Sequence, residues 1–198
     1  MKVVPMLFNT EMVRALLDGR KTVTRRPVKV DYERGMNGPV VRGKNGEVSV
    51  LSFAPIAGLC PFGNVGELIW VRETMDINAY LDMYYIADDC VVENEPENWF
   101  YRDLEYVGKI PSIHMPRWAS RLTLRVTDVR IERVQEITVE QAIKEGISHH
   151  SMNCPKAEFG QLWNELYGNW TENPYVWVIE FDVINKNIDT VLVEVTNG

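Results

Sequence analysis

Two periods of hydrophobic alternation divide the chain into elements. Residues 3 to 8 read as a first strand, and Met12-Val13-Arg14-Ala15-Leu16-Leu17 carries apolar side chains at helical spacing. The spacing predicts a helix over residues 11 to 18, with Thr10 as its N-cap and Gly19 as the left-handed residue that ends it. Glu67 to Thr74 alternates as a strand, with Trp70 and Arg72 on one face and Ile69, Val71 and Glu73 on the other. Glu73 thus shares a face with core residues, and a buried acid needs a partner. Tyr84 to Ala87 is a short strand. Leu122 to Val134 is the strongest β pattern, with a change of phase near Asp128 that predicts a bend, as in a small barrel. Thr138-Val139-Glu140-Gln141 fits a capping box for a helix that stops at Gly146. A further helix is expected over Ala157 to Tyr167, with Phe159, Leu162, Trp163 and Leu166 on one face. Tyr175 to Ile184 is a strand, and Asp189 to Val195 is read as an edge strand or a tail.

Between these elements lie a Gly- and Asn-rich stretch at residues 31 to 47, read as an insertion or hairpin with Val48 to Phe53 as its return strand, and an acidic excursion at 88 to 108. With 198 residues and 45% hydrophobic content, the chain can bury a core as one domain with insertions. Three cysteines at irregular spacing argue against a disulfide framework and for a reducing, cytoplasmic setting; no stretch reads as a signal peptide or a membrane span.

Charge changes this picture. The net charge of -7 speaks against a coat for nucleic acid, yet nine Arg or Lys residues against three acids lie between Arg14 and Lys44. Such a local basic face suits a small anionic ligand or a short nucleic-acid segment. Its densest part is Gly19-Arg20-Lys21-Thr22-Val23-Thr24-Arg25-Arg26. A spacing of three brings Lys21 and Thr24 to one side only where the backbone turns; in a flat strand they point to opposite sides. In one reading Thr22-Val23-Thr24 simply opens a strand and the four cations are solvated. In the other, Lys21, Thr24 and Glu73 form a constellation of hydroxyl nucleophile, amine base and carboxylate.

Pro111 to Arg121 combines His114, Arg117, Trp118 and Arg121, groups that stack on bases and neutralise phosphates, or else a core Trp with solvated arginines. His149, His150, Cys154 and Cys60 have no metal-ligand spacing, and no phosphate-loop or dinucleotide motif occurs, so neither metal nor cofactor is called for.

Gly19-x-Lys21-x-x-Thr24-x-Arg26 resembles the Gly-x-Lys motif of the ASCH family. Over nearly its full length, through Cys60-Pro61-Phe62-Gly63, Leu68 to Glu73, Ile113 to Arg121 and Trp177 to Phe181, the chain also looks like phage- and prophage-encoded ASCH-domain proteins. The resemblance implies an α+β fold, a PUA-like, mostly antiparallel β-barrel built from strands near 3–8, 67–74, 122–134 and 176–184, with the first helix closing one end. It implies a single domain over 1–198, with insertions at about 31–60 and 88–110 and a tail at about 185–198. One branch of that family removes the acetyl group from N4-acetylcytidine with a Lys, a Thr three residues later and a Glu on a following strand. Those roles carry over to Lys21, Thr24 and Glu73. This chain is about twice as long as that branch, through the insertion between residues 31 and 60, the loop at 88 to 110 and the helix near residue 160, additions of a kind that can reshape a pocket.

Two functions follow. One is hydrolysis of an amide on a modified nucleoside, with Thr24 attacking, Lys21 taking its proton, Glu73 positioning Lys21 or the deacylating water, and Arg26 or Arg72 stabilising the oxyanion. The other is a binding module for RNA or single-stranded nucleic acid, in which Arg20, Lys21, Arg25, Arg26, Arg72, Arg117 and Arg121 meet the ligand and Trp118 or Tyr85 stacks a base. Catalysis needs Lys21 buried; phosphate binding needs it exposed.

Overall fold

The computed structural model describes residues 2–32, 39–42, 48–50, 59–93, 95–97, 99–147 and 154–197. In chain order the strands are β1 (Val3–Leu7), β2 (Val23–Pro27), β3 (Val30–Tyr32), β4 (Pro39–Arg42), β5 (Val48–Val50), β6 (Leu68–Arg72), β7 (Met75–Ile77), β8 (Met83–Tyr85), β9 (Gly108–Ile110), β10 (Thr123–Arg133) and β11 (Tyr175–Ile184). The helices are α1 (Thr10–Leu17), α2 (Phe100–Asp103), α3 (Val139–Lys144), α4 (Pro155–Tyr167) and α5 (Ile188–Asn197). The fold is α+β with mostly antiparallel sheets. The chain divides into two compact units, one of Met1–Gly19, Leu68–Arg125 and Val183–Gly198, the other of Arg20–Glu67 and Val126–Asp182.

In the first unit β6 lies between β1, which runs parallel to it from Val3↔Leu68 to Leu7↔Arg72, and the start of β10, antiparallel through Thr123↔Trp70 and Arg125↔Leu68. β7 forms a second, antiparallel sheet with β8 and β9. Helix α1 starts at Thr10, one residue before its expected start, because Asn9 supplies the cap: its Oδ1 accepts from the Met12 N–H at 2.8 Å. Gly19 follows at φ +70°, the left-handed conformation foreseen for it. Met75, Ile77, Met83, Tyr85, Ile110, Met115 and Ala119 bury one core. Leu68, Trp70, Ile188 and Val191 bury another. The last pair belongs to α5, where an edge strand or tail was expected. Its Val- and Thr-rich composition suggests a strand, but Ile188, Val191 and Leu192 recur at helical spacing and pack as one stripe. The acidic excursion likewise contains α2 and β9, and β9 is anchored by pairing with β7 rather than by its own pattern.

In the second unit the remainder of β10 neighbours β11, and β11 pairs antiparallel with β2. β3, β4 and β5 form an antiparallel meander. The expected return strand of the insertion therefore exists over Val48–Val50, and the rest of residues 31–60 lies mostly outside the described residues. Helix α3 carries the predicted capping box: the Gln141 N–H donates to Thr138 Oγ1 at 3.2 Å and the Thr138 N–H to Gln141 Oε1 at 3.0 Å. Phe159 and Trp163 of α4 enter the core with Val23, Val134, Ile137, Ala142, Val176 and Val178, whereas Leu166, assigned to the same face, is 49% exposed. A barrel closes only when its outer strands find partners. Among the described residues β1 and β2 have one strand neighbour each and no closed barrel forms.

Candidate functional site

The basic segment after Gly19 is clamped by its backbone and side chains onto the end of α3. The Thr22 N–H donates to Lys144 O at 2.9 Å and Lys21 Nζ to Glu145 O at 2.8 Å, two carbonyls that the helix end leaves open, and Arg20 Nη1 donates to Gly146 O, just past it, at 2.9 Å. Thr22 O in turn accepts from the Phe181 N–H at 3.0 Å, which sets the register of β2 on β11 as Val23↔Glu180 through Pro27↔Val176. Strand alternation then separates the side chains. Val23 and Arg25 lie on one face, Thr24 and Arg26 on the other.

The Arg25 face holds a buried charge network. Lys21 and Arg25, 0% and 2% exposed, share the carboxylate of Glu145: Lys21 Nζ donates to Oε2 at 2.8 Å and Arg25 Nη1 to Oε1 at 3.1 Å. Arg25 Nη2 also reaches Glu132 Oε2 at 3.1 Å and Gln141 Oε1 at 3.0 Å. Lys21 Nζ donates as well to Val23 O at 2.9 Å. Burial pushes the Lys21 amine below the ordinary lysine range; Glu145 opposes that shift, and Arg26 and Arg25 add to it. The cations of this segment were read as solvated in the plainer of the two sequence readings. The strand is present, but two of its cations are core residues.

On the opposite face Thr24, fully buried, accepts from Arg26 Nη1 at 2.8 Å. Thr24 Oγ1 and Lys21 Nζ are thus each committed to other groups, Arg26 in one case and Glu145 in the other.

Glu73 belongs to the first unit, just past β6, and is 1% exposed. Its partner is Arg121, which donates Nε to Oε1 at 2.8 Å and Nη2 to Oε2 at 2.9 Å, and whose Nη1 reaches Asp88 Oδ2 at 2.7 Å. The Arg121 guanidinium lies 3.8 Å over the Tyr85 ring. Burial pushes the Glu73 carboxyl up while Arg121 pulls it down, and burial prevails. Burial also pushes the Tyr85 phenol well up; its hydroxyl donates to Ala119 O at 2.8 Å. Arg72 is spent on structure: Nε and Nη2 donate to Met115 O at 3.0 and 2.9 Å, and its guanidinium rests 5.1 Å from the Trp70 ring.

The remaining expected binding residues are similarly engaged. Arg117 Nη2 pairs with Asp189 Oδ1 at 2.6 Å, and the half-buried Trp118 packs edge-on against Trp99 at 5.2 Å. Trp118 and Arg121, with Tyr85, Ser120, Lys186 and Asn187, line a cavity of about 510 Å³ in the first unit. His149 and His150 lie outside the described residues, and among the described residues no group of three or more His, Cys, Asp or Glu could hold a metal. Among those residues no helix is long and apolar enough to cross a membrane.

The sequence reading missed Glu145. A signal for it was present, because a carboxylate at a helix C-terminus faces the negative end of the dipole and stays there only if cations hold it. No family model, curated protein or solved structure matches this chain.

Proposed function

We propose that this protein hydrolyses an amide on an acylated nucleoside of the N4-acetylcytidine type, with Thr24 as nucleophile, Lys21 as base and Glu73 as the third group of the motif. The observation that carries the reading is the complete burial of Lys21, two residues before β2, and of Thr24 on β2. A lysine out of water and beside two arginines loses its proton more readily, as a base must. A phosphate-binding lysine would be exposed. The binding module is further disfavoured because Arg25 is buried and Arg117 and Arg121 are already paired with carboxylates. The PUA-like ASCH affiliation is part of the same proposal and rests on the motif residues.

In the reaction Lys21, once neutral, turns from its place against Glu145 toward the Thr24 face of β2, and Thr24 Oγ1 bonds to the acyl carbon as its proton passes to Lys21 Nζ. The carbon–nitrogen bond then breaks, Lys21 returns the proton to the leaving amine, and water hydrolyses the acyl-threonine to the free acid. With Thr24 buried, the acyl group reaches Oγ1 by displacing the Arg26 guanidinium now on it, which leaves Arg26 beside the carbonyl oxygen. Arg26 is therefore assigned the oxyanion in preference to Arg72, which is held by Met115 O. Glu73 enters the proposal through the resemblance alone, as the group assigned to the deacylating water.

The α3 carbonyl that Lys21 caps favours a second reading, in which Lys21 is a structural clip alone. Chromatography of a panel of acylated nucleosides treated with wild type, Lys21→Met and Glu73→Gln separates the two. Hydrolysis by wild type, none by a folded Lys21→Met, and a loss on the order of 10²-fold in Glu73→Gln are expected. Wild type without turnover on the panel, or a Lys21→Met variant that retains turnover, overturns the enzyme reading.

A further inference from the structure

We propose that Glu145 is a positioning residue for Lys21: its carboxylate, divided between Lys21 and Arg25, holds Lys21 as the ammonium and sets the pH at which the amine becomes free to act as a base. The inference rests on the amide-hydrolysis reading for its consequence, but its physical content is confined to one buried network.

The geometry carries it. Glu145 is 5% exposed, and each of its oxygens meets a different cation, Oε2 the Lys21 ammonium at 2.8 Å and Oε1 the Arg25 guanidinium at 3.1 Å. Lys21 also donates to Val23 O and Glu145 O, so the three N–H groups of the ammonium are all spent in this place, and loss of one proton is what loosens the nitrogen from it. The charged groups acting on it are Glu145 from the end of α3, Arg25 and Arg26 from β2 and, through Arg25, Glu132 from β10. Three of these favour a neutral amine or are spent on a neighbour: Arg25 and Arg26 repel the ammonium, and Glu132 binds Arg25. Glu145 is the carboxylate in direct contact that favours the charge. Arg25 on the second oxygen draws carboxylate density away from Lys21, so the hold is partial. Such a shared carboxylate keeps a buried lysine charged without locking it there.

The role assigned by resemblance to Glu73, positioning the lysine, therefore falls within the second unit to Glu145. Loss of the Lys21 proton to solvent converts the ammonium–carboxylate pair into an amine that still hydrogen-bonds, and this deprotonation is the ascending limb of the pH–rate profile.

The test uses the full chain with ¹⁵N-labelled lysine. The Lys21 Nζ resonance, assigned by its loss in Lys21→Met, is titrated by NMR in wild type and in Glu145→Gln, alongside the pH dependence of kcat/KM. Removing the carboxylate charge is expected to lower the Lys21 titration midpoint by about one pH unit or more. The ascending limb of kcat/KM should move the same way by the same amount. If Glu145→Gln does not fold, Glu145→Asp, which withdraws the charge by one methylene, should move both readouts in that direction by less. A structural role alone would change stability and, with the ion pair gone, the midpoint, but would leave the ascending limb of kcat/KM in place. An unmoved midpoint in a folded variant overturns the proposal, even where wild type hydrolyses its substrate. A displaced midpoint in a wild type without turnover keeps the Glu145–Lys21 coupling and sinks the hydrolysis reading instead.

Discussion

Replacing Arg121 by Met should destabilise the protein by an amount that depends on pH. The substitution removes two hydrogen bonds to Glu73, at 2.8 and 2.9 Å, and one to Asp88, at 2.7 Å, while the methionine keeps part of the apolar contact with Tyr85. Glu73, 1% exposed, is left as a buried charge without its counter-ion, and breaking a buried pair from one side costs about 3–5 kcal/mol. Asp88 contributes little, since its side chain is 30% exposed and rehydrates. Glu73 can escape by taking a proton. Its folded carboxyl already sits above the ordinary range and rises further without Arg121. A carboxyl raised on folding gives stability that is complete below the unfolded pKa and is lost as pH rises through the folded value. The deficit of Arg121→Met relative to wild type should accordingly be small near pH 4.5, where Glu73 is protonated in the variant, and reach its full size at pH 8. Urea denaturation at both pH values, compared at constant m, measures it. A deficit under about 1 kcal/mol at pH 8, or one equal at both pH values, would refute the assignment of a buried, Arg121-dependent carboxylate.

Gly160→Ala should lower the thermal midpoint, because a Cβ there would stand 2.9 Å from Trp170 Cε2 and 3.1 Å from Cζ2; a strain of about 1–3 kcal/mol is expected, and an unchanged midpoint means that the Trp170 ring moves aside freely. Binding of a short single-stranded RNA, titrated at two salt concentrations, should be weak and fall steeply with salt, given the net charge of -7 and the engagement of Arg25, Arg117 and Arg121 within the protein; tight, salt-insensitive binding would show that a separate surface exists.

Local rules were readable in the chain where a single contact decides the outcome. The capping box at Thr138 and Gln141 and the left-handed Gly19 need only neighbours in sequence, and both stand where expected. Asn9 took the cap from Thr10 because either residue can bond an open N–H, and sequence does not say which one stays outside the helix. Tertiary partners decided the rest. The Val-rich end became α5 because Ile188 and Val191 had a core to fill, and β9 is a strand because β7 offers it an edge. The burial of Glu73 followed from its face on the strand, but its partner Arg121 lies 48 residues away. Glu145 is 124 residues from Lys21, and no local pattern connects them. The basic segment looked solvated because charge normally is; what removes Lys21 and Arg25 from water is a carboxylate supplied by a distant helix end.

The central claim, that Thr24 attacks an acyl group on a nucleoside, is tested most directly by following release of free cytidine from N4-acetylcytidine by wild type, Thr24→Ser and Thr24→Ala under one set of conditions. The account predicts release by wild type, a reduced but measurable rate for Thr24→Ser, which keeps a hydroxyl at that place on β2, and no release above the uncatalysed rate for a folded Thr24→Ala. Release by Thr24→Ala at the wild-type rate would contradict it.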